Sequence, residues 1–527
     1  MNRPGHPEPR RDSLSKMVAE QKTSAARPST PPHATLARVA QWLRDLAGDS
    51  AHVLVRGSGE VEVTGLTLST SRVEPGDLFA ALPGLRTHGA TYAPEALAAG
   101  AVAVLTDPAG AALLPPDTHA VVVEAPRRFL GALAARLHGD PATSMRMIGV
   151  TGTQGKTTVT QLAEGALRRT GTPSAVIGTV GTRVAGEDVA TALTTPEAPD
   201  LQALFARMRE VGVVACAMEV SSHALVLGRV DGVVFDVATF LNLGRDHLDF
   251  HADVEEYYTA KASLFTPERA RRAVINVDDE HGRRLVGETE LEVTTFSARG
   301  ADADWRATDV VCGADGSTFR LLGPGGVDLA TSVPLPGDFN VANALAAVAT
   351  CAAAGFDPAT VARGIAEGPG VPGRLERVDA GQDFSVVVDY AHKPDAVEAT
   401  LRTLRPLTDG QLIVVLGAGG DRDRGKRPLM GEIAARLADV FVVTDDNPRS
   451  EDPRVIRAAV LDGVHEPRAE VLEIGDRRRA IREALRRARP GDIVLVAGKG
   501  HESGQEVEGV VTPFDDRAVA REELALL

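Results

Sequence analysis

The chain has 527 residues, enough at about 150 residues per domain for three or four separately cored domains, and 43% hydrophobic with 24% charged residues is an ordinary globular composition. Lys plus Arg number 57 against 72 Asp plus Glu, a net charge of −15 that disfavours nucleic-acid binding. The 3 cysteines, Cys216, Cys312 and Cys351, lie far apart without CxxC spacing and read as reduced thiols in a cytoplasm. The longest apolar run, 341–356, is Ala-rich and carries Asn343, so a buried helix and no membrane anchor is expected.

Residues 1–35 combine many Pro, Arg, Ser and Thr with no apolar signal core and read as a disordered extension, with a weak helical pattern at Leu14, Met17 and Val18. A first domain is expected over 36–146, with turns at Pro75-Gly76-Asp77 and Leu82-Pro83-Gly84 and buried strands over 101–105 and 120–123. After the break at Gly139-Asp140-Pro141, an alternation of strand, glycine loop and helix starts at Met145 and predicts a second domain, 147–370. The glycines and prolines of 368–373 read as a linker. Beyond it, apolar strands over 386–388, 412–416, 440–443 and 493–497 alternate with helices, the pattern of a parallel, doubly wound sheet over 371–527.

The strongest local signal is Gly149-Val-Thr-Gly152-Thr-Gln-Gly155-Lys156-Thr157-Thr158, placed between an apolar strand and a helix whose Leu162, Ala163, Ala166 and Leu167 share a face. Backbone N–H groups of such a loop hold phosphate oxygens, a lysine neutralises the β and γ positions, and the Thr157 hydroxyl can reach Mg²⁺. The glycine spacing is a variant of the usual loop. A strand over 213–218 ends in Glu219 and another over 237–241 ends in Asn242-Leu-Gly-Arg245-Asp246-His247-Leu-Asp249-Phe-His251, which brings ligands to one sheet edge; zinc is the weaker reading for want of paired His or Cys.

Lys261 falls on an apolar helical stripe of Val254, Tyr257, Tyr258, Leu264 and Phe265 with no acid three or four residues away, so it either snorkels or serves the site. In the third domain four strand ends carry loops of mixed charge: Asp389-Tyr-Ala-His392, Gly417 to Arg424, Asp445-Asp446-Asn447-Pro448-Arg449 and Gly498-Lys499-Gly500-His501-Glu502. Together on one edge they suit a zwitterionic substrate, whereas a dinucleotide fails because Arg422 stands at the third glycine position.

Taken in order, these motifs, with Thr64-Gly65 and Pro75 to Phe79, resemble the Mur ligase family over nearly the whole chain after the extension. The resemblance implies an α/β fold of three domains, with a UDP-sugar-binding domain, a central P-loop parallel-sheet domain and a C-terminal Rossmann-like domain. It implies an ATP-dependent ligase that adds meso-diaminopimelate to UDP-MurNAc-L-Ala-D-Glu through an acyl phosphate, working as a cytoplasmic monomer. ATP as co-substrate would meet Gly152, Thr153, Gln154, Gly155, Lys156, Thr157 and Thr158, with Asn340, Asn343, Arg374, Asp389 and His392 near its adenosine and phosphates. Lys156, Glu219, His247 and a carbamylated Lys261 would be catalytic, the last three with Thr157 serving Mg²⁺.

The same resemblance assigns Ser71, Thr194, Thr195, Ser221 and Arg229 to the UDP-MurNAc-dipeptide, and Arg422, Asp446, Asn447, Pro448, Arg449, Gly498 and Glu502 to diaminopimelate. Gln154, Thr70 and Leu227 depart from the family's usual residues. A lysine-adding ligase is the nearest rival, and folylpolyglutamate synthase or a non-catalytic nucleotide-binding scaffold the next; Arg449 would repel the ammonium of a lysine.

Overall fold

The computed structural model describes residues 26–48, 52–84, 86–244, 246–247 and 250–527. The helical pattern at Leu14, Met17 and Val18 lies outside the described residues, as do Arg245, Leu248 and Asp249. The described residues form two compact units, one from 26 to 295 with 349–356, the other 296–348 with 357–527.

In the first unit, the strands Leu54–Arg56, Ala120–Val122, Ala103–Thr106, Asp77–Ala80 and Gly65–Thr67 stand side by side in that order, and all but the first pair run parallel. Four of the five strands are buried along their length, as expected where helices cover both faces of a parallel sheet. Asp77, read from sequence as part of a turn, opens a strand: Pro75-Gly76 supplies the turn before it, and its carboxylate has an ion-pair partner to offset burial.

The next sheet of this unit is ordered Glu187–Val189, Gly181–Val184, Ser174–Gly178, Ala215–Glu219, Arg146–Thr151, Val237–Phe240, Arg272–Asn276 and Glu292–Ser297. Arg146–Thr151 lies between Ala215–Glu219 and Val237–Phe240, parallel to both, with Val150 opposite Glu219 and Thr151 opposite Phe240. That register brings three carboxyl ends level, so the residues just after each strand meet the loop before helix Lys156–Arg169.

The second unit opens with an antiparallel meander, Trp305–Gly313, Gly316–Gly323 and Val327–Val333. Its main sheet is ordered Glu376–Arg377, Ser385–Asp389, Ile493–Ala497, Leu412–Leu416, Val440–Val443 and Glu470–Glu473, parallel except for the first pair. Alternate side chains separate into two cores. Val387, Val414, Phe441 and Leu495 face one, with Val397, Leu401 and Met430, while Val386, Ile413, Val442 and Val494 face the other, with Ile481, Leu485 and Val519. Three of the four strands expected here match to the residue, because fully apolar runs of four or five residues between turns leave little choice of boundary.

The disordered tail expected over 1–35 is corrected at its C-terminal end. Arg27 donates from both terminal nitrogens to Asp77 at 2.7 and 2.8 Å and to the Arg72 carbonyl at 3.0 Å. The N–H groups of Ser29 and Thr30 donate to the Glu210 carboxylate, and Ala34–Thr35 pairs with Glu62–Val63. The composition hid this, because one bidentate ion pair anchors a segment with almost no apolar residues. Arg27→Ala, which strips the cation from a carboxylate only 1% exposed, should destabilise the first unit by about 3–5 kcal/mol in urea unfolding. Removing residues 1–25 alone should leave the midpoint unchanged.

Candidate active site

In the first unit the glycine loop is built around one carbonyl. Gly155, at φ 89°, turns the chain into the helix that starts at Lys156, and the Lys156 ammonium folds back onto the carbonyls of Gly152 at 2.7 Å and Thr153 at 3.1 Å. Asn242, at the end of the adjacent strand, accepts from the N–H groups of Thr153 and Gln154 at 3.1 and 2.9 Å and donates to the Gln154 carbonyl. The sequence motif contained Asn242, but nothing in its spacing showed that its carboxamide would bind the phosphate loop. Thr157 and Thr158 are buried in the first turn of the helix.

Lys261 lies on helix Val254–Ala262 and is 1% exposed, so it does not snorkel. Its ammonium donates to the same Gly152 carbonyl at 2.9 Å and sits 4.5 Å from the centre of the Tyr257 ring. Burial first, then the charge of Lys156, pushes its pKa well below the ordinary lysine value, against a smaller pull from Asp246. Leu264 and Phe265 belong to the turn after this helix rather than to the helix, though both are buried as the stripe implied.

Glu219 is buried at its strand end and accepts from the N–H and hydroxyl of Thr179 at 2.7 and 3.2 Å. Gly178 makes room for it, since a Cβ there would stand 2.3 Å from Glu219 Oε1. One network continues outward: Thr179 to Thr194 at 3.1 Å, Thr195 Oγ1 to the Glu219 carbonyl at 2.8 Å, the Ser221 N–H to Thr195, and Arg229 to the Thr195 carbonyl and to Glu197 at 2.8 Å. Thr194, Thr195, Ser221 and Arg229 are therefore brought together with Glu219. Ser71 lies on the short turn Thr70–Arg72, bonded to Ser69 at 2.9 Å, and its neighbour Arg72 pairs with Asp200 of helix Ala198–Glu210 at 3.0 Å.

His247 holds a positive φ of 55°, stabilised by its own N–H donating to the Asp246 carboxylate at 2.9 Å, and its ring lies 4.8 Å from that of His223 and 6.0 Å from Tyr257. Among the described residues no three His, Cys, Asp or Glu side chains cluster as a ready-made metal centre.

In the second unit the site residues fall into three groups. Asn343 donates to Asn340 at 3.2 Å, and Asn340 to the Pro336 carbonyl at 2.9 Å. Asp389 accepts from the N–H groups of Leu375 and Ala391, both at 2.8 Å; burial raises its pKa, with Arg374 the main opposing influence. The Arg374 guanidinium lies 4.7 Å over the Tyr390 ring, and His392 Nδ1 meets the Tyr390 carbonyl at 2.8 Å, with the carbonyl of His392 itself receiving Lys426.

The third group surrounds Asp446 to Arg449. Gly498 approaches Asp446 so closely that a Cβ would lie 2.5 Å from its carboxylate. Asn447 donates to Glu502 at 2.8 Å; Arg449, at φ 53°, donates to the Gly420 carbonyl at 2.6 Å and lies 3.6 Å from Glu506. The Pro448 carbonyl packs against Gly420, where a Cβ would clash, and Arg422 is exposed on the neighbouring loop. The four strand ends do share one edge, as Asp389 pairs with Ala497 and Leu416 with Val443.

A phosphate loop on a parallel sheet, followed by a doubly wound unit whose loops mix charges, defines a class of nucleotide-using ligases. The Mur ligase family, catalytic domain, matches residues 62–138; the Mur ligase middle domain, 150–351; and the Mur ligase, glutamate ligase domain, 373–500. A Streptomyces avermitilis protein named UDP-N-acetylmuramoyl-L-alanyl-D-glutamate--2,6-diaminopimelate ligase is 57% identical, covering 88% of this chain and 92% of that protein. A Corynebacterium glutamicum protein of the same name is 50% identical over 90% and 94%. A solved structure of a ligase with that name has a TM-score of 0.64 at 35% identity, covering 88% of this chain and 95% of its own. The chain belongs to the Mur ligase family. It is an ATP-dependent ligase.

Burial drives the His392 imidazole down to about 4 from 6.5, so between those values the unfolded chain binds a proton that the folded chain refuses. Stability should therefore fall as pH drops from about 6.5 toward 4. Wild type should lose about 2 kcal/mol more than His392→Gln between pH 7 and 5 in urea unfolding, and parallel curves would refute the neutral, buried imidazole.

Proposed function

We propose that the protein joins the amine of meso-diaminopimelate to the D-Glu γ-carboxyl of UDP-MurNAc-L-Ala-D-Glu in peptidoglycan precursor synthesis, using ATP. The observation that carries the choice of amino acid is the group formed by Arg449, Asn447 and Glu502. A cation, an amide donor and a carboxylate side by side can meet the carboxylate and ammonium at the far end of diaminopimelate, whereas lysine ends in an ammonium alone. The Streptomyces avermitilis and Corynebacterium glutamicum relatives, 57% and 50% identical, carry that amino acid in their names. No helix among the described residues is long and apolar enough to cross a membrane, and the reading places the enzyme in the cytoplasm as a monomer.

The domains divide the work as 36–146 for the UDP-sugar, 147–370 for ATP and 371–527 for the amino acid. Loop residues 152–158 hold the ATP phosphates; Asn340, Asn343, Arg374, Asp389 and His392 lie toward the nucleotide; Ser71, Thr194, Thr195, Ser221 and Arg229 hold the UDP-MurNAc-dipeptide; and Arg422, Asp446 to Arg449, Gly498 and Glu502 hold diaminopimelate. The γ-carboxylate attacks the ATP γ-phosphate to give an acyl phosphate and ADP, and the amine then displaces phosphate. Lys156 stabilises the charge that gathers on the transferring group, and the buried walls around Glu219 and Lys261 exclude the water that would hydrolyse the acyl phosphate.

Lys261 fits modification by carbon dioxide. Its ammonium shares one carbonyl with Lys156, and the depressed pKa exposes the neutral amine that adds carbon dioxide with loss of a proton. The resulting carbamate turns a repulsion into an attraction. Thr157, Glu219, His247 and that carbamate would hold Mg²⁺, each offering an oxygen or nitrogen donor at the loop's edge; when bound, Mg²⁺ supplies charge neutralisation during phosphoryl transfer.

Lys261→Ala should abolish ligation, and added formate or acetate should partly restore it in a phosphate-release assay; an alanine variant with full turnover would refute the role. Arg449→Ala should lower kcat/KM for diaminopimelate by about 30-fold or more, the equivalent of at least 2 kcal/mol, and leave the poor rate with lysine little changed. Equal losses for both amino acids would mean that Arg449 supports the loop without reading the carboxylate.

A further inference from the structure

Lys499 stands between two residues proposed for diaminopimelate, Gly498 and Glu502, yet it is wholly buried. Its ammonium donates to Asn447 Oδ1 at 3.1 Å, to Glu502 Oε2 at 3.3 Å and to the Gly504 carbonyl at 2.7 Å. Three protons meet three acceptors, so the lysine has none left for a substrate. Its effect has to pass through the groups that it holds.

Asn447 Oδ1 also accepts the Glu506 N–H at 3.0 Å, which fills the oxygen end of the carboxamide and leaves its nitrogen end to face Glu502. A cation on the oxygen side makes the flipped amide unfavourable, since Nδ2 would then face both an ammonium and an N–H. Glu502 Oε2 is taken by Asn447 and Lys499, while Oε1 receives no donor among the described residues. The hairpin of Gly504–Val507 and Val510–Pro513 adds to the same frame. Gln505 donates to the Asp446 carbonyl at 2.8 Å, and the Arg449 N–H to the Glu506 carbonyl at 3.0 Å.

We propose that Lys499 is the positioning residue for amino-acid selection: it fixes Asn447 as a donor and Glu502 as a one-sided acceptor, so that the pair presents a template for a carboxylate and an ammonium together. This rests on the reading of that loop cluster as the diaminopimelate site. Lys499 therefore governs affinity for an amino acid with a zwitterionic far end and leaves the chemistry of phosphoryl transfer to the other unit.

The test is steady-state kinetics of the full-length enzyme with Lys499→Met and Lys499→Gln. KM for diaminopimelate should rise about tenfold or more, with KM for ATP and for the UDP-MurNAc-dipeptide within about twofold of wild type and the preference for diaminopimelate over lysine reduced. Glu502→Gln combined with Lys499→Met should be no worse for diaminopimelate KM than the worse single variant, because both changes break one unit. If Lys499→Met yields no folded protein, Lys499→Gln, which can still donate to the Gly504 carbonyl, carries the same expectation. A folded variant with unchanged diaminopimelate KM, or additive losses in the double variant, overturns the proposal. So does a lower kcat and thermal stability together with a rise in every KM alike. Arg449→Ala separates the two failures: if it raises diaminopimelate KM and Lys499→Met does not, the site reading stands and the positioning role falls; if neither does, the site reading itself falls.

Discussion

Two lysine ammoniums converge on a single peptide carbonyl, that of Gly152, and the first unit is arranged around this conflict. One of them, Lys156, comes from the helix that the loop itself begins. The other, Lys261, arrives from a helix more than a hundred residues later, buried beside the Tyr257 ring where water cannot screen it. Like charges so placed raise the energy of the protonated pair, and the strain is relieved either by losing a proton or by gaining a negative group. The first outcome leaves a neutral amine beside Lys156, and the second an anion that offsets the Lys156 charge.

The level carboxyl ends of the parallel strands give this arrangement its precision. Because Glu219 pairs with Val150 and Phe240 with Thr151, Glu219 and Asn242 flank the strand that leads into the loop, one on each side, and Asn242 reaches the loop without a long connection. Asn242 then bonds the loop's N–H groups before any ligand does, which holds the loop open in shape at the expense of donors that a phosphate could use. The second unit repeats the geometry with a different purpose, its four level strand ends carrying side-chain charges where the first unit offers mainly backbone donors.

Much of this was legible in the sequence because it rests on local pattern. Continuous apolar runs between turns defined the strands of the second unit, and the glycine loop declared itself by its position between strand and helix. What escaped was tertiary. Arg27 looked like one more residue of a polar tail, since its partner Asp77 is fifty positions away. Asn242, Lys499 and the buried Arg477 to Asp516 pair act through hydrogen bonds to distant groups, which no periodicity encodes. The resemblance named Gly498 and Glu502 but passed over the lysine between them.

Two buried lysines, Lys261 and Lys499, show that burial alone does not determine what an amine does. Lys261 has one carbonyl acceptor, an aromatic face and a neighbouring cation; Lys499 has a carboxylate, an amide oxygen and a carbonyl. For the first, the charged form is poorly repaid for leaving water, and the neutral, nucleophilic amine gains. For the second, each proton has a destination, and the group serves as a rigid three-way joint. The count and charge of acceptors, more than depth, separate a lysine suited to covalent modification from one suited to holding a pocket in shape.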